Sequence, residues 1–292
     1  MGNNDQKTVL IFTIIYFFIE LFGGFYYRSL ALVTDASFMA INISGQFIAL
    51  YVGRLAQRLP SKHKTFGYER AKVLSGLFNG MLVGFLLFYV LIDAYHKIMH
   101  PEPLEADKVL YIASIGLVVN AFGLMRLRNH ARDINIKGAM LLILNDTLGS
   151  VGVIISSLLI KYTSLYFIDP LTGVIIGFLA AYPTYFLIRE SVHILMEGSP
   201  ASVNVDEVER YLDDHFRDIH RIKDLHIWSL SPERVLMAVR IRTNGSVYAR
   251  EAVRTMKQRL KERFGFSDVY VELYEDAPDS LIRPNNKAVT SR

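Results

Sequence analysis

Residues 32–42 read LVTDASFMAIN and stand where a second hydrophobic segment of the chain begins. The stretch is apolar enough for a membrane span, yet Asp35 and Asn42 interrupt it and Phe38 lies between them. Spacings of three and four residues put all three on one face of a helix. An ionisable side chain in hydrocarbon costs about 2.5 kcal/mol or more on insertion scales, so a carboxylate kept there is a candidate for function.

Outward from this stretch, apolar runs recur. A helix needs about 20 residues to cross about 30 Å of hydrocarbon. Six segments approach that length, at residues 8–27, 30–53, 73–95, 108–124, 138–160 and 162–188. The first is read as a retained span, because it contains Glu20 and has no small-residue cleavage site before Arg28. The whole chain has 292 residues and is 51% hydrophobic. That average conceals two regimes, since charge and alternation replace the apolar runs after about residue 188. The expected organisation is a six-span membrane domain at 1–198, a small soluble domain at 199–278 and a flexible tail at 279–292.

Loop charge orients the spans. Arg54, Arg58, Lys62, Lys64, Arg70 and Lys72 fall between the second and third segments, and Arg126, Arg128, Arg132 and Lys137 between the fourth and fifth. The loop after the third, HPEPLEADK, is acidic. Basic loops stay on the cytoplasmic side, which predicts that both termini are cytoplasmic. With the basic residues so placed, a net charge of +4 is a topology signal and gives no footprint for nucleic acid. The chain has no cysteine, so any metal must be held by His, Asp, Glu or neutral oxygens.

The soluble part alternates in a legible order. VDEVERYLDDHF has helical spacing with acids in its first turn, RIKDLHIWSL and VLMAVRIRT read as strands around a turn at 231–233, VYAREAVRTMKQRLKERF is a second amphipathic helix, and DVYVELYE is a third strand. Helix, strand, strand, helix, strand predicts a compact α+β module of ferredoxin-like type.

The polar residues inside the spans are few: Glu20, Asp35, Asn42, Asn79, Asp93, Asn120, Asn145, Asp146 and Asp169. Each has a structural and a functional reading. Asp35 either caps the start of the second span or binds a ligand. Asn42, Asn79 and Asn120 fit interhelical hydrogen bonds, and Asp93 and Asp169 fit helix-end contacts. Asp146 has no basic neighbour in its span, so function is the stronger reading for it. Leu142 precedes it by one turn on the same face.

GGFYYRSLALVTDA, KTFGYERAKVLSGLFN, NDTLGSVGVIISS, IDPLTGVIIG and DLHIWSL, in this order, resemble the blocks of the cation diffusion facilitator family over nearly the whole chain. The resemblance implies a homodimeric carrier exchanging Zn²⁺ or a related divalent cation for protons. It implies four membrane ligands, usually His or Asp, in two pairs four residues apart, at Phe38 and Asn42 and at Leu142 and Asp146. Only Asp146 is a usual ligand. Where relatives often carry His-Asp-Leu-His before the tryptophan, this chain has Lys223, Asp224, Leu225 and His226. Asp214, His215, Asp218 and His220 form a possible substitute cluster, with solvated helix-end charge as the alternative; His63 and Lys64 read as surface. Arg70 and Glu197, at span ends that approach the dimer axis in the family, are expected to form an ion pair bracing the protomers.

Two functions follow from this. The first is a proton-coupled efflux carrier whose metal site is built from Asp146, Asn42 and Asp35, with Ser37 or Asn145 as helpers. Such an oxygen-rich set favours Mn²⁺, Mg²⁺ or Fe²⁺ over Zn²⁺; the expected substrate is a divalent cation, Mn²⁺, Fe²⁺, Zn²⁺ or Cd²⁺, with no bound cofactor. The second is a transport-incompetent relative that pairs with an active family member as a heterodimer or regulates through its soluble module. No nucleophile, base and oxyanion set stands out for an enzyme. The loop between spans four and five lacks the His-rich insert of vesicular relatives, which predicts a prokaryotic inner membrane.

Overall fold

The computed structural model describes residues 2–128, 134–216, 222–242 and 249–274. Six long helices come first: α1 (Gly2–Tyr26), α2 (Leu30–Ala56), α3 (Arg70–Met99), α4 (Ala106–Leu127), α5 (Ile134–Thr163) and α6 (Ile168–Leu195). Each is long and apolar enough to cross a membrane. After them come α7 (Val205–His215), β1 (Ile222–Ser231), β2 (Arg234–Arg242), α8 (Ala249–Phe264) and β3 (Asp268–Tyr274). The chain divides into two units, Met1–Ser191 and Val192–Arg292.

In the first unit α4 packs along α5 and α1, α1 along α2, and α2 along α3 and α5. Small residues set these approaches, as they must where lipid gives no hydrophobic drive to helix pairing. The Tyr16 ring of α1 lies on Gly116 of α4, where a Cβ would overlap it, and Ile112 of α4 fills the place of a Cβ on Gly23. Gly76 and Gly80, four apart on α3, receive Leu187 and Ile188 of α6. Phe22, Phe85 and Leu141 are among the many large apolar side chains left exposed on the outside, as a lipid-facing surface requires.

The α1–α2 connection turns on Arg28, at φ 58°. Ser29 then caps α2, its Oγ accepting from the Leu32 N–H at 3.2 Å. Asp35 is therefore not the cap of α2; it lies a turn and a half inside the helix. The sixth helix also differs from expectation. Residue 162 belongs to α5, which runs to Thr163; Ser164 then takes φ 56°, and α6 begins only at Ile168. The apolar run through Tyr162 and Leu165 hides this turn, because its residues are as greasy as those of a span. Pro170 falls in the first turn of α6, where its missing N–H is harmless.

The second unit has the expected α+β order. β1 and β2 pair antiparallel around the tight turn at Pro232 and Glu233, and β3 joins β2 in parallel, giving the sheet order β1-β2-β3. Asn204 caps α7, accepting from the Asp206 and Glu207 N–H groups at 3.0 and 3.3 Å. Val208, Leu212, Met237, Val239, Met256 and Leu260 form its dry core.

Candidate cation site

The polar residues of the first unit gather where α1, α2, α4 and α5 meet. Glu20 is fully buried, and its Oε1 accepts a hydrogen bond from the Tyr16 hydroxyl at 3.0 Å. Asp35 of α2 faces it closely enough for one carboxyl to donate to the other when protonated. Glu20 Oε2 and Asp35 Oδ2 have no further partner among the described residues. The Asp35 carboxyl rests against the bare Cα of Gly149 on α5. Beside it Asn120 Nδ2 of α4 donates to Ser150 Oγ at 3.5 Å, which is the interhelical bond expected of that asparagine.

Toward the end of the bundle that holds the start of α1 lies a cavity of about 70 Å³. Asn42 and Asp146 both line it, with Leu142 and Met39 beside them, and Thr13 of α1 and Gln46 of α2 complete its polar wall. Asp146 is mostly buried, and among the described residues it takes no hydrogen bond or ion pair from protein. Asp35 is not part of this wall, although its carboxyl is within electrostatic reach of Asp146. Phe38 is not part of it either: its ring is buried and points at Gly177 of α6, among Val83 and Ile176.

The helix explains the divergence. At about 100° per residue, position 42 lies about 40° from 38, and 46 another 40° beyond. Asp35, Met39, Asn42 and Gln46 thus centre one stripe, with Phe38 at its edge against α3 and α6. Thr13 and Gln46 are absent from the sequence-based set of polar span residues, which holds carboxylates and asparagines. The available signal was Gln46 standing four residues after Asn42.

Most of the remaining polar residues lie apart from this cavity. Asp93 pairs with Lys97 at 3.6 Å on α3. Asn79 places its Oδ1 against Gly45 of α2 with no hydrogen bond among the described residues. Asp169 crosses to the head of α2, accepting from Ser29 Oγ and the Leu30 N–H, each at 2.6 Å. Arg70 opens α3, and Glu197 closes α6 at φ 60°; they belong to different units. Of the suggested soluble cluster, Asp214 and His215 are exposed, with His215 Nδ1 3.1 Å from the Tyr211 carbonyl. Asp218, His220 and the side chain of Lys223 lie outside the described residues, as does the expected tail. Among the described residues no three His, Cys, Asp or Glu side chains meet in a way that could hold a metal ion. A cation site among the described residues would therefore draw on neutral oxygens as well.

The model of the cation efflux transmembrane domain matches residues 7–196, and that of the cation efflux protein cytoplasmic domain matches residues 200–273. The chain belongs to the cation diffusion facilitator family. It is 32% identical to the cation efflux system protein CzcD of Alcaligenes sp. strain CT14, over 95% of this chain and 88% of that protein. It is 34% identical to a cadmium, cobalt and zinc/H⁺-K⁺ antiporter of Bacillus velezensis, over 79% of this chain and 75% of that one. A zinc transporter ZitB of Pectobacterium atrosepticum is 30% identical over 80% and 74%. The protein is thus an integral membrane member of a transporter family, six spans followed by a small α+β domain. Of the four positions at which the resemblance places ligands in this facilitator, Asn42, Leu142 and Asp146 line the cavity and Phe38 does not.

Proposed function

We propose that the protein is a divalent-metal efflux carrier of a prokaryotic inner membrane, working by proton-coupled antiport, with both termini cytoplasmic. The observation that carries this reading is the shared cavity: Asp146 and Asn42, from two different helices, wall one space, and the Asp146 carboxylate has no protein cation to neutralise it among the described residues. A buried carboxylate without a counter-charge is costly unless a ligand cation supplies one. Similarity to proteins named as cadmium, cobalt and zinc carriers supports the substrate class.

The metal ligands in this reading are Asp146 and Asn42, and Asp35 acts from the adjoining layer with Glu20. In the orientation proposed, the cavity lies toward the cytoplasmic side, where an exporter takes up its cargo. The working unit is a homodimer, braced by an ion pair between Arg70 and Glu197. Its test is Arg70→Ala, which weakens the dimer if the pair braces it and leaves dimer stability unchanged if it does not.

Flux decides the main reading. The purified protein in vesicles is expected to move at least one of Mn²⁺, Fe²⁺, Zn²⁺ or Cd²⁺, and Asp146→Ala is expected to abolish that movement. Silence for every metal from a folded dimer supports instead a transport-incompetent relative that partners or regulates an active carrier, a reading favoured by the apolar Phe38 and Leu142 at ligand positions.

A further inference from the structure

The cavity does not leave Asp146 with one amide for company. Four oxygen-bearing side chains line it: Thr13 of α1, Asn42 and Gln46 of α2, and Asp146 of α5. We propose that the cation site has slipped one helical turn along α2, so that Asn42 and Gln46 replace the pair at 38 and 42, and Thr13 takes the place left by Leu142. This rests on the carrier reading above and names the cargo class within it.

The helix geometry favours the slip. Asn42 and Gln46 keep the four-residue spacing that stacks side chains one turn apart. Side chains on a helix lean toward its N-terminus, so Gln46, one turn further along α2, reaches back toward the level of Asn42. Its extra methylene lengthens that reach. Phe38, by contrast, is buried in the hydrophobic cluster that holds Val83 of α3 and Ile176 of α6, and a Cβ on Gly177 would lie 3.9 Å from its ring.

The donor chemistry then selects the cargo. One carboxylate, two amide oxygens and one hydroxyl offer no imidazole and no thiolate, the donors that suit Zn²⁺. The Met39 thioether is the one soft atom in the wall, and it is neutral and weak. A cavity of about 70 Å³ has room for several waters beside an ion. A hard divalent cation that keeps part of its water shell and needs only one or two carboxylates fits this description, so the site takes Mn²⁺ or Mg²⁺ ahead of Zn²⁺ and Cd²⁺.

The test is equilibrium Mn²⁺ binding to the purified full chain in lipid nanodiscs, read by the spectroscopic signal of free Mn²⁺, with Zn²⁺ and Mg²⁺ as competitors and flux measured in parallel. Gln46→Leu and Thr13→Val are each expected to weaken Mn²⁺ binding about tenfold, as loss of one contact to a charge should. Gln46→Glu is expected to tighten it, and Phe38→Leu to leave it unchanged. Melting temperatures and dimer state of all variants are recorded beside the binding. If Asp146→Ala abolishes binding while Gln46→Leu and Thr13→Val do not change it, the slip is wrong and the carrier reading stands. If Phe38→Leu weakens binding in a normally folded protein, the slip is also wrong; if Zn²⁺ displaces Mn²⁺ at far lower concentration, the assignment of a hard cation as cargo is wrong. If the wild type binds and moves no metal, both readings fall together.

Discussion

The carboxyl of Asp35 lies on the bare Cα of Gly149, so closely that a Cβ at position 149 would sit 2.7 Å from Asp35 Cγ and 2.8 Å from Oδ2. This contact fixes how near α2 and α5 stand beside the cavity. Gly149→Ala is expected to destabilise the protein by about 1–3 kcal/mol, the usual cost of forcing a methyl into a packed interior. In the background of Asp35→Ala the same substitution should cost clearly less, since the group it strikes is gone. A double-mutant cycle of melting temperatures reads the coupling; simple additivity would mean that the helices are spaced by something else.

The capping contact between Asp169 and α2 gives a second prediction. The Asp169 carboxylate accepts from Ser29 Oγ, from the Leu30 N–H and, at 3.4 Å, from the Ala31 N–H, and so sits at the positive end of the α2 dipole. Asp169→Ala removes all three bonds and leaves buried donors without partners. An expected loss of about 2–4 kcal/mol follows from two short bonds and one long one lost at a buried helix terminus. Asp169→Asn, which keeps one acceptor, should lose less, and equal losses for the two variants in a thermal melt would count against the cap.

The separation of Phe38 from the cavity makes a prediction about restoring a zinc site. By resemblance, histidine at either 38 or 142 would return a family ligand. Only Leu142 lines the cavity, however, and Phe38 is turned into the α3–α6 packing. Leu142→His is expected to raise Zn²⁺ affinity about tenfold or more, since it adds an imidazole beside Asp146. Phe38→His is expected to give no gain and to lose stability, because it buries a polar ring among apolar neighbours. Zinc titration of the two purified variants decides; a gain from Phe38→His alone would refute the placement of that ring.

These contacts show which parts of the molecule the sequence carries on its face. The six spans come from runs of apolar residues, and the soluble αββαβ order from changes of period, because both are local properties of consecutive residues. The start of α6 misled because the turn at Ser164 sits inside an apolar run. Asp146 was legible as a lone carboxylate, and its meeting with Asn42 followed from pairing the two spans by resemblance. Glu20 beside Asp35, and Gln46 and Thr13 in the cavity wall, were not legible; the helix-end contact of Asp169 was, though not that α2 is its partner. Each depends on which helix lies across the gap, and spacing along one helix cannot report that. The parting of Phe38 from Asn42 has a sharper cause: one face of a helix is wide enough to hold residues that meet different neighbours.

The second unit offers a contrast between exposed charge and buried core. Arg240 of β2 donates to Glu272 Oε2 of β3 at 2.9 Å and lies 3.4 Å from Asp224 Oδ2 of β1, joining all three strands across the open sheet face. The hydrogen bond from Arg240 to Glu272 raises the guanidinium pKa above its ordinary value. Arg240 stays charged throughout the accessible pH range, so the contact is sensitive to salt and Arg240 itself contributes no titration. On the other face Leu260 of α8 is fully buried against Met237 and Val239. Leu260→Ala should cost about 2–5 kcal/mol through lost transfer energy and the cavity left behind. Arg240→Ala should change the melting temperature far less, and what change there is should vanish in about 1 M salt, where screening shortens to about 3 Å. Thermal melts of the two variants at low and high salt separate the terms. A salt-independent loss for Arg240→Ala comparable with that for Leu260→Ala would show that the sheet face is covered rather than open to solvent.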